Sequence, residues 1–232
     1  MKLIRKSCSQ GAREAEGTAV VIDVFRAFTC EPFFFHFGAR KVILEADPEK
    51  AIALKSRHPE FILAGEVNEV PIQGGDLGNS PSEILLKGRE FFQGKTVIHR
   101  TTAGVTGAAS ALERADKVLL GSFVTAAATA ACIHRNNPRV VTLVAMGSRG
   151  QEPSPEDEAC ADYLAHLLTG AAYDRFGALR EILFHPSAQK FLKGEKPYLP
   201  KEDPVICLRA DLFDFALRAR KEGDAITSSV VA

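Results

Sequence analysis

The chain has 232 residues, of which 46% are hydrophobic and 25% are charged. That balance is ordinary for a globular protein large enough to bury a sizeable core. Its 29 basic and 29 acidic side chains give a formal net charge of zero, which argues against a protein built to bind nucleic acid or an anionic membrane surface.

Targeting signals and cysteine spacing bear on the compartment of the protein. No apolar run is long enough to cross a bilayer, and the first residues lack the order of a secretion signal. The five cysteines are scattered and never in CxxC spacing, as expected for free thiols in a reducing compartment. We therefore expect a cytoplasmic protein with no nucleic-acid or membrane partner.

Short apolar runs predict the strands of a largely parallel sheet. Most runs are continuous rather than alternating, which is typical of strands buried on both faces. In chain order, the predicted strands are Ala19–Val24, Lys41–Glu45, Phe61–Gly65, Thr96–His99, Lys117–Leu120, Val140–Ala145 and Val205–Leu208. The predicted helices between them are Arg26–Phe37, Pro48–Arg57, Pro81–Phe92, Val105–Arg114, Val124–Arg135 and Pro155–Leu168.

This strand–helix alternation predicts right-handed crossovers and the α/β class, with a largely parallel sheet sandwiched by helices in three layers, α/β/α. We expect a single α/β domain over residues 1–232, with room for two lobes flanking a site. Prolines between about Ala171 and Asp203 predict a smaller, irregular C-terminal part. The tail Asp224–Ala232 is expected to be frayed or packed on the outside.

Two helix starts are well marked. Ser80 and Ser154 each precede a proline, and each is followed three residues later by a carboxylate, Glu83 and Asp157. Serine at the N-cap, proline at the first helical position and an acid at the third are the elements of a capping box. Both helices are therefore predicted to begin at these serines.

Polar and glycine-rich residues follow many of the predicted strands. These strand exits are Asp23 with Arg26, Glu66, Arg100–Gly104, Gly121–Ser122 and Gly147–Gly150. In open parallel sheets, ligands bind at the carboxyl ends of strands, where helix N-termini also point. Each residue taken singly could equally be a helix cap, a turn or a solvated loop residue, so the functional interpretation depends on their convergence along one edge.

The chemistry of these exits suits a magnesium ion and an anion. Asp23, Glu66 and Asp76 offer the hard carboxylate oxygens that Mg²⁺ prefers. The turn Thr101–Gly104 offers hydroxyl and backbone N–H groups to a phosphate. Bidentate contacts to phosphate, sulfonate or carboxylate are open to Arg26, Arg100 and Arg149.

Other conspicuous residues have simpler interpretations. His99 interrupts an apolar strand and is predicted to be a core histidine rather than a base, and no histidine or cysteine spacing supports zinc. The run Phe33–Phe35 is predicted to be core or the face of a homodimer. Cys160 falls in the first turns of a helix and is predicted to be a packed thiol rather than a reactive thiolate.

Taken together, the motifs resemble the 2-phosphosulfolactate phosphatase family, which includes the enzyme of coenzyme M biosynthesis. The matching segments are VVIDVFRAFT (20–29), LAGEVN (63–68), GGDLGNSPSE (74–83), the stretch ending in TTAG (94–104), GSFVTAAA (121–128), PEDEACA (155–161) and ADLFDFALRA (210–219). They follow the order of the family over nearly the whole chain. The resemblance implies a magnesium-dependent hydrolase of 2-hydroxycarboxylic acid phosphate esters.

The resemblance also implies a set of site residues. Catalytic roles fall to Asp23, Arg26, Thr101 and Thr102. Metal binding falls to Asp23, Glu66, Asp76 and Asp157. Substrate binding falls to Asn79, Ser80, Gly104 and Ser122, to which our interpretation adds Arg100 and Arg149.

The chain departs from the family pattern at two points. Val67 stands where the family commonly has an arginine, and Ala103-Gly104-Val105 replaces a frequent Asn-Gly-Thr turn. Both changes are expected to touch the substrate and to alter which ester is hydrolysed. Arg100 or Arg149 could supply the missing positive charge.

The role of Asp23 stays open between metal ligand, general base and nucleophile. An aspartyl-phosphate mechanism with an Asp-x-Asp pair is disfavoured, because the chain reads Asp23-Val24-Phe25. A second hypothesis is a non-catalytic protein that binds an anion or a phosphate ester on the same fold. A nucleotide-binding enzyme is disfavoured, since the chain has no GxxxxGK[ST] loop and no GxGxxG after a predicted strand.

Overall fold

A computed structural model of the chain describes residues 1–231. The strands are β1 Lys2–Ser7, β2 Thr18–Ile22, β3 Lys41–Leu44, β4 Ile62–Val67, β5 Val70–Pro71, β6 Thr96–Arg100, β7 Lys117–Gly121, β8 Val140–Ala145, β9 Ala216–Glu222 and β10 Ala225–Val231. The helices are α1 Cys8–Arg13, α2 Ala27–His36, α3 Pro48–Arg57, α4 Pro81–Phe92, α5 Gly104–Ala111, α6 Ala126–Asn136, α7 Pro155–Thr169, α8 Arg175–Phe184, α9 Pro186–Leu192 and α10 Asp203–Cys207, with a 3-10 turn at Phe123–Thr125.

The strands form one sheet in the order β1-β8-β2-β7-β9-β10-β3-β6-β4-β5. Parallel pairing joins β1, β8, β2 and β7 into one group, and joins β3, β6 and β4 into another. Helices cover both faces, so the predicted three-layer α/β/α fold with a mostly parallel sheet is confirmed.

The antiparallel hairpin β9–β10 lies between the two parallel groups. Its strands pair antiparallel with each other, with β7 on one side and with β3 on the other. Because three antiparallel pairings separate β7 from β3, the two parallel groups run in opposite directions. In a flat sheet their carboxyl ends would point to opposite edges, whereas the twist of a real sheet and the loops after the strands can bring them closer.

Alternate residues along a strand pack against helices on opposite faces of the sheet. Along β2, Val21 packs with Phe28 and Phe34 of α2. Val20 and Ile22 face the other way, into the cluster that contains residues of α6 and α7. In the run Phe33–Phe35, Phe33 and Phe34 are buried in the core as predicted, whereas Phe35 is half-buried.

Several sequence predictions of elements need correction. The predicted strand Val205–Leu208 is wrong, because this stretch forms helix α10; a short apolar run does not distinguish a buried strand from a buried helical turn. The tail is not frayed, because β10 lies in the middle of the sheet. Strands β1 and β9 were not predicted either, since both carry charged side chains and are partly exposed.

Two smaller predictions also have clear outcomes. Cys30, Cys132, Cys160 and Cys207 are buried free thiols. Burial raises the pKa of Cys160 well above its ordinary value, so this thiol is packed rather than reactive. Among residues 1–231, no helix combines the length and apolar character that a bilayer crossing requires.

Candidate functional site

A single cavity collects residues from both parallel groups of the sheet. The exits of β2 and β8 supply Asp23 and Gly147–Arg149, and β4 and the exit of β6 supply Glu66 and Thr102. The remaining lining residues are Phe25, Arg26, Glu69, Asn79, Ala103, Glu156, Asp157, Ser187, Lys190, Phe191 and Leu199. The strand exits that the sequence singled out thus meet, although they leave oppositely directed strands.

Asp23 lies between the starts of two helices. One carboxylate oxygen accepts a hydrogen bond from the backbone N–H of Ala27, at 3.1 Å, and the N–H of Gly104 also donates to this side chain. Burial, with a smaller contribution from the charge of Glu66, raises the pKa of Asp23 to about 6. Asp23 is therefore a carboxyl group that can change protonation state near neutral pH.

Gly104 is required for this close approach. A Cβ atom at this position would lie 2.7 Å from both the Cβ of Ala27 and Oδ2 of Asp23. Gly104 itself does not line the cavity. Its contribution is to let the start of α5 come against Asp23.

Asp157 reaches from the first turn of α7 to two loops at the cavity. Its carboxylate oxygens accept from the backbone N–H of Val24 and of Gly147, both at 2.7 Å. Burial, followed by the charges of Asp23 and Glu156, raises its pKa well above the ordinary value. Asp157 therefore holds together the exits of β2 and β8 beside Asp23.

This use of Asp157 explains why one predicted capping box fails. Ser154 is the N-cap residue of α7, but its hydroxyl caps no backbone group, and Asp157 bonds to loops instead. The other prediction is confirmed: the hydroxyl of Ser80 accepts from the N–H of Glu83 at 3.3 Å. Only α4 begins with the predicted side-chain cap.

Glu66 ties the β4 exit to the β6 exit. It accepts from the backbone N–H of Thr102 at 2.5 Å, from the Thr102 hydroxyl at 2.9 Å and from the N–H of Glu69 at 2.6 Å. The side chain of Glu66 is only 6% exposed. These donors hold the carboxylate in a fixed position at the cavity.

Arg26 is held by an acid that the sequence analysis missed. Its guanidinium lies 2.8 Å from Asp203, and both side chains are buried. The other oxygen of Asp203 accepts from the hydroxyls of Ser80 and Ser82, at 2.8 and 2.6 Å. Arg26 also lies over the ring of Phe191, at 5.2 Å from its centroid. Its position at the cavity is thus fixed by α4, α9 and α10.

Carboxylates outnumber cations in the cavity lining. Five acidic side chains, Asp23, Glu66, Glu69, Glu156 and Asp157, face three basic ones, Arg26, Arg149 and Lys190. Two of the basic groups are already paired, Arg26 with Asp203 and Lys190 with Glu69 at 2.6 Å. An anionic ligand would therefore need additional positive charge to enter this cavity.

A divalent cation fits this surplus of hard oxygen donors. Mg²⁺ commonly binds one or two protein carboxylates and completes its shell with water and phosphate oxygens. Within residues 1–231, no three Asp, Glu, His or Cys side chains converge closely enough to hold a metal unaided. The donor set therefore suits a cation that shares its shell with a ligand, rather than a closed all-protein cage.

The structure brings seven of the predicted site residues to the cavity: Asp23, Arg26, Glu66, Asn79, Thr102, Arg149 and Asp157. The other six do not line it: Asp76, Ser80, Arg100, Thr101, Gly104 and Ser122. Most of those six support its walls. The Thr101 hydroxyl accepts from the N–H of Val105 at 3.0 Å, and Arg100 donates to the backbone oxygen of Glu66 and to the Thr102 hydroxyl.

Asp76 and Ser122 have structural partners that leave them away from the cavity. Asp76 accepts from the N–H of Leu63 and pairs with Lys55, both at 2.8 Å. The hydroxyl of Ser122 donates to the backbone oxygen of Phe28 at 2.8 Å. The two departures from the family pattern are placed differently from each other: Val67 does not line the cavity, whereas Ala103 of the turn Ala103-Gly104-Val105 does.

The residues that sequence reasoning missed come mainly from the irregular C-terminal part. Ser187 donates to Glu156 at 2.7 Å, and Lys190, Phe191 and Leu199 line the cavity. No strand exit marks these positions. The prolines and the Phe-His-Pro-Ser segment signalled only loops and short helices, so their placement over the site had no local sequence signal.

The fold and the cavity define an α/β protein with an acidic site for a small polar ligand at converging strand ends. A model of the 2-phosphosulpholactate phosphatase family matches residues 4–221. The chain therefore belongs to that family.

Individual relatives agree with the family match. A probable 2-phosphosulfolactate phosphatase of Bacillus subtilis (strain 168) is 32% identical over 211 residues, covering 90% of this chain and 89% of the relative. One of Caldicellulosiruptor saccharolyticus is 35% identical, covering 84% and 86%. One of Clostridium perfringens (strain SM101 / Type A) is 39% identical over a shorter match that covers 63% of this chain and 58% of the relative.

Proposed function

We propose that the protein is a phosphoric monoester hydrolase that acts, with Mg²⁺, on 2-phosphosulfolactate or a related 2-hydroxycarboxylic acid phosphate ester. The observation that carries the proposal is the meeting of Asp23, Glu66, Arg26 and Thr102 in one cavity, in a chain of this family. The names of the relatives supply the ester class. We further propose that the enzyme works in the cytoplasm as one domain.

Asp23 and Glu66 are the residues that would hold the metal. Both are buried and face the same cavity. Asp157 joins the loops that carry Val24 and Gly147, so in this proposal it positions those loops beside Asp23. When bound, Mg²⁺ would polarise the phosphoryl group and offset the surplus of carboxylates.

Arg26 would contact the transferring phosphoryl group. The guanidinium of Arg26 is held in place by Asp203, and its remaining N–H groups are suited to phosphate oxygens. Thr102 holds Glu66 in place, because its N–H and its hydroxyl both donate to that carboxylate. Phosphoryl transfer depends mainly on such positioning and charge stabilisation, so these groups suffice without a covalent intermediate.

Arg149 and Lys190 would bind the acidic end of the substrate. Both line the cavity, whereas Arg100 is turned to the backbone oxygens of Ala46 and Glu66. Of the two arginines that could replace the charge absent at Val67, the geometry favours Arg149. The carboxylate and sulfonate of sulfolactate are the kind of groups that an arginine and a lysine bind.

The test is a panel of phosphate esters assayed for released phosphate with and without Mg²⁺. The panel contains 2-phosphosulfolactate, 2-phospholactate and 2-phosphoglycerate, with 3-phosphoglycerate as the control that differs only in the position of the ester. We expect Mg²⁺-dependent release from the 2-phospho esters and much less from 3-phosphoglycerate. Calorimetric binding of an ester without phosphate release would instead select a non-catalytic binding protein.

A further inference from the structure

Three polar side chains are buried behind Asn79, and the proposed reaction does not use them. His99 of β6 and Glu31 of α2 are fully buried, and Ser228 of β10 is 4% exposed. Nδ1 of His99 lies 2.5 Å from Oε2 of Glu31, and the Ser228 hydroxyl donates to Oε1 of Glu31. On its other side, Nε2 of His99 lies 3.4 Å from Oδ1 of Asn79.

Glu31 has a polar partner at each oxygen of its carboxyl group. Oε1 accepts from the Ser228 hydroxyl, and Oε2 lies against Nδ1 of His99. A buried carboxylate needs a buried cation to compensate its charge. His99 is the side chain in contact with Glu31 that can carry that charge, and an imidazole that donates from Nδ1 to Glu31 and from Nε2 to Asn79 would meet this need.

A doubly protonated His99 fixes the orientation of the Asn79 amide. Its Nε2–H can only donate, so it selects the oxygen of Asn79 and not the NH2 group. Asn79 lines the cavity and is only 6% exposed. With Oδ1 turned to His99, the NH2 group is left to face the ligand as a donor.

We propose that His99, supported by Glu31, is a positioning residue that turns the NH2 group of Asn79 towards an anionic oxygen of the substrate. This inference rests on the proposed phosphatase function, because it assigns Asn79 an anion as its ligand. His99 itself touches neither the substrate nor the reacting atoms. Its effect is to make Asn79 a donor, where the opposite amide orientation would present an acceptor to an anion.

The first test measures the protons directly and needs no activity. Long-range ¹H–¹⁵N spectra of the wild-type protein report the protonation of each imidazole nitrogen, and a His99→Gln variant assigns the signal. We expect both nitrogens of His99 to be protonated, and the Glu31→Gln variant to lose one of these protons. A neutral imidazole in the wild-type protein would overturn the inference, whether or not the variants fold.

The second test is a cycle of variants assayed with the best ester of the panel. Glu31→Gln keeps the shape of the side chain and removes its charge, and we expect kcat/KM to fall about ten- to a hundredfold, the range for one hydrogen bond to a charged group. In an Asn79→Ala background, Glu31→Gln should change kcat/KM by less than about twofold, because residues that act through one contact are not additive.

A purely structural role gives a different result. If Glu31→Gln lowers kcat/KM by the same factor with and without the Asn79 side chain, His99 does not act through Asn79 and the inference fails. Failure of the proposed function is distinguishable, since then the wild-type protein releases no phosphate from any ester while the imidazole spectra remain readable.

Discussion

Asp23 is the residue on which the proposed activity depends most. It is buried, it lies between the starts of α2 and α5, and it lines the cavity together with Glu66. As a metal ligand, a base or a nucleophile it would need its ionised carboxylate. The Asp23→Asn change removes the charge and keeps the shape, so it separates charge from packing.

We expect Asp23→Asn to lower kcat by about a hundred- to a thousandfold, the scale seen when an essential electrostatic group is lost. The matched control is Asp76→Asn, which makes the same change at another aspartate that the sequence predicted to bind metal. Asp76 pairs with Lys55 outside the cavity, so its variant should keep kcat within a few fold. Steady-state phosphate release checks both, and an active Asp23→Asn variant would remove Asp23 from the mechanism.

The pH dependence follows from the same residue. Burial and the charge of Glu66 raise the pKa of Asp23 from 3.8 to about 6, so the group is protonated in the folded protein at pH values where it is ionised in the unfolded chain. The folded state then binds more protons than the unfolded state between pH 4 and 6, and the contribution of Asp23 to stability falls as pH rises through that window.

Two measurements check that the pKa of Asp23 is raised. As the pH is lowered below about 6, kcat/KM should decrease, because the ionised form of Asp23 disappears. A cation that binds ionised Asp23 should raise the melting temperature more at pH 7.5 than at pH 5, because protons compete for the same oxygens. Equal Mg²⁺-induced shifts at the two pH values would show that the cation does not bind Asp23.

At the scale of helices and loops, Asp203 connects three elements. From the start of α10 it pairs with Arg26 before α2 and accepts from Ser80 and Ser82 at the start of α4. Arg26 is 4% exposed and Asp203 is fully buried. Removal of one partner of such a pair leaves a buried charge without compensation.

Asp203→Ala is expected to reduce the free energy of unfolding by about 3–5 kcal/mol and to raise KM by releasing Arg26. Glu222→Ala is the control, because Glu222 pairs with Lys41 and Arg220 at the surface and its loss should leave the urea midpoint nearly unchanged. Urea denaturation followed by circular dichroism measures both. Equal midpoints for the two variants would contradict the structural role given to Asp203.

The helices and strand ends also show which parts of the structure can be predicted from the sequence. Helices α3 and α4 occur at the predicted residues because both begin with clear caps, Asp47 and Ser80, each followed by proline. The exits carrying Asp23, Glu66 and Thr102 were predicted to meet because polar residues there interrupt otherwise apolar strands. Lys190 and Asp203 could not be found in this way, since their importance arises from tertiary packing of short helices with weak periodicity.

At the scale of the whole molecule, the hairpin β9–β10 decides how the site forms. Its antiparallel pairings reverse the direction of one parallel group relative to the other. Polar and small residues in β10 gave no strand signal, so the sequence predicted a single parallel edge. The strand exits nevertheless meet at one cavity, although they leave two oppositely directed groups of strands.

The middle of β10 is therefore a sensitive point of the fold. Thr227 is buried and pairs with Arg220 of β9 on one side and with Ile43 of β3 on the other. Its hydroxyl has no hydrogen-bond partner, so the side chain contributes through packing alone. Backbone and side-chain effects can be separated at this one position.

Thr227→Pro should destabilise the protein by more than about 3 kcal/mol, because proline removes a backbone donor and does not fit a central strand. Thr227→Val keeps the β-branched shape and removes a buried hydroxyl without a partner, so it should be neutral or stabilising. Urea unfolding of both variants is the measurement. If Thr227→Pro unfolded at the same urea concentration as Thr227→Val, β10 would not join the two halves of the sheet, and the convergence of the strand exits at one cavity would lose its structural basis.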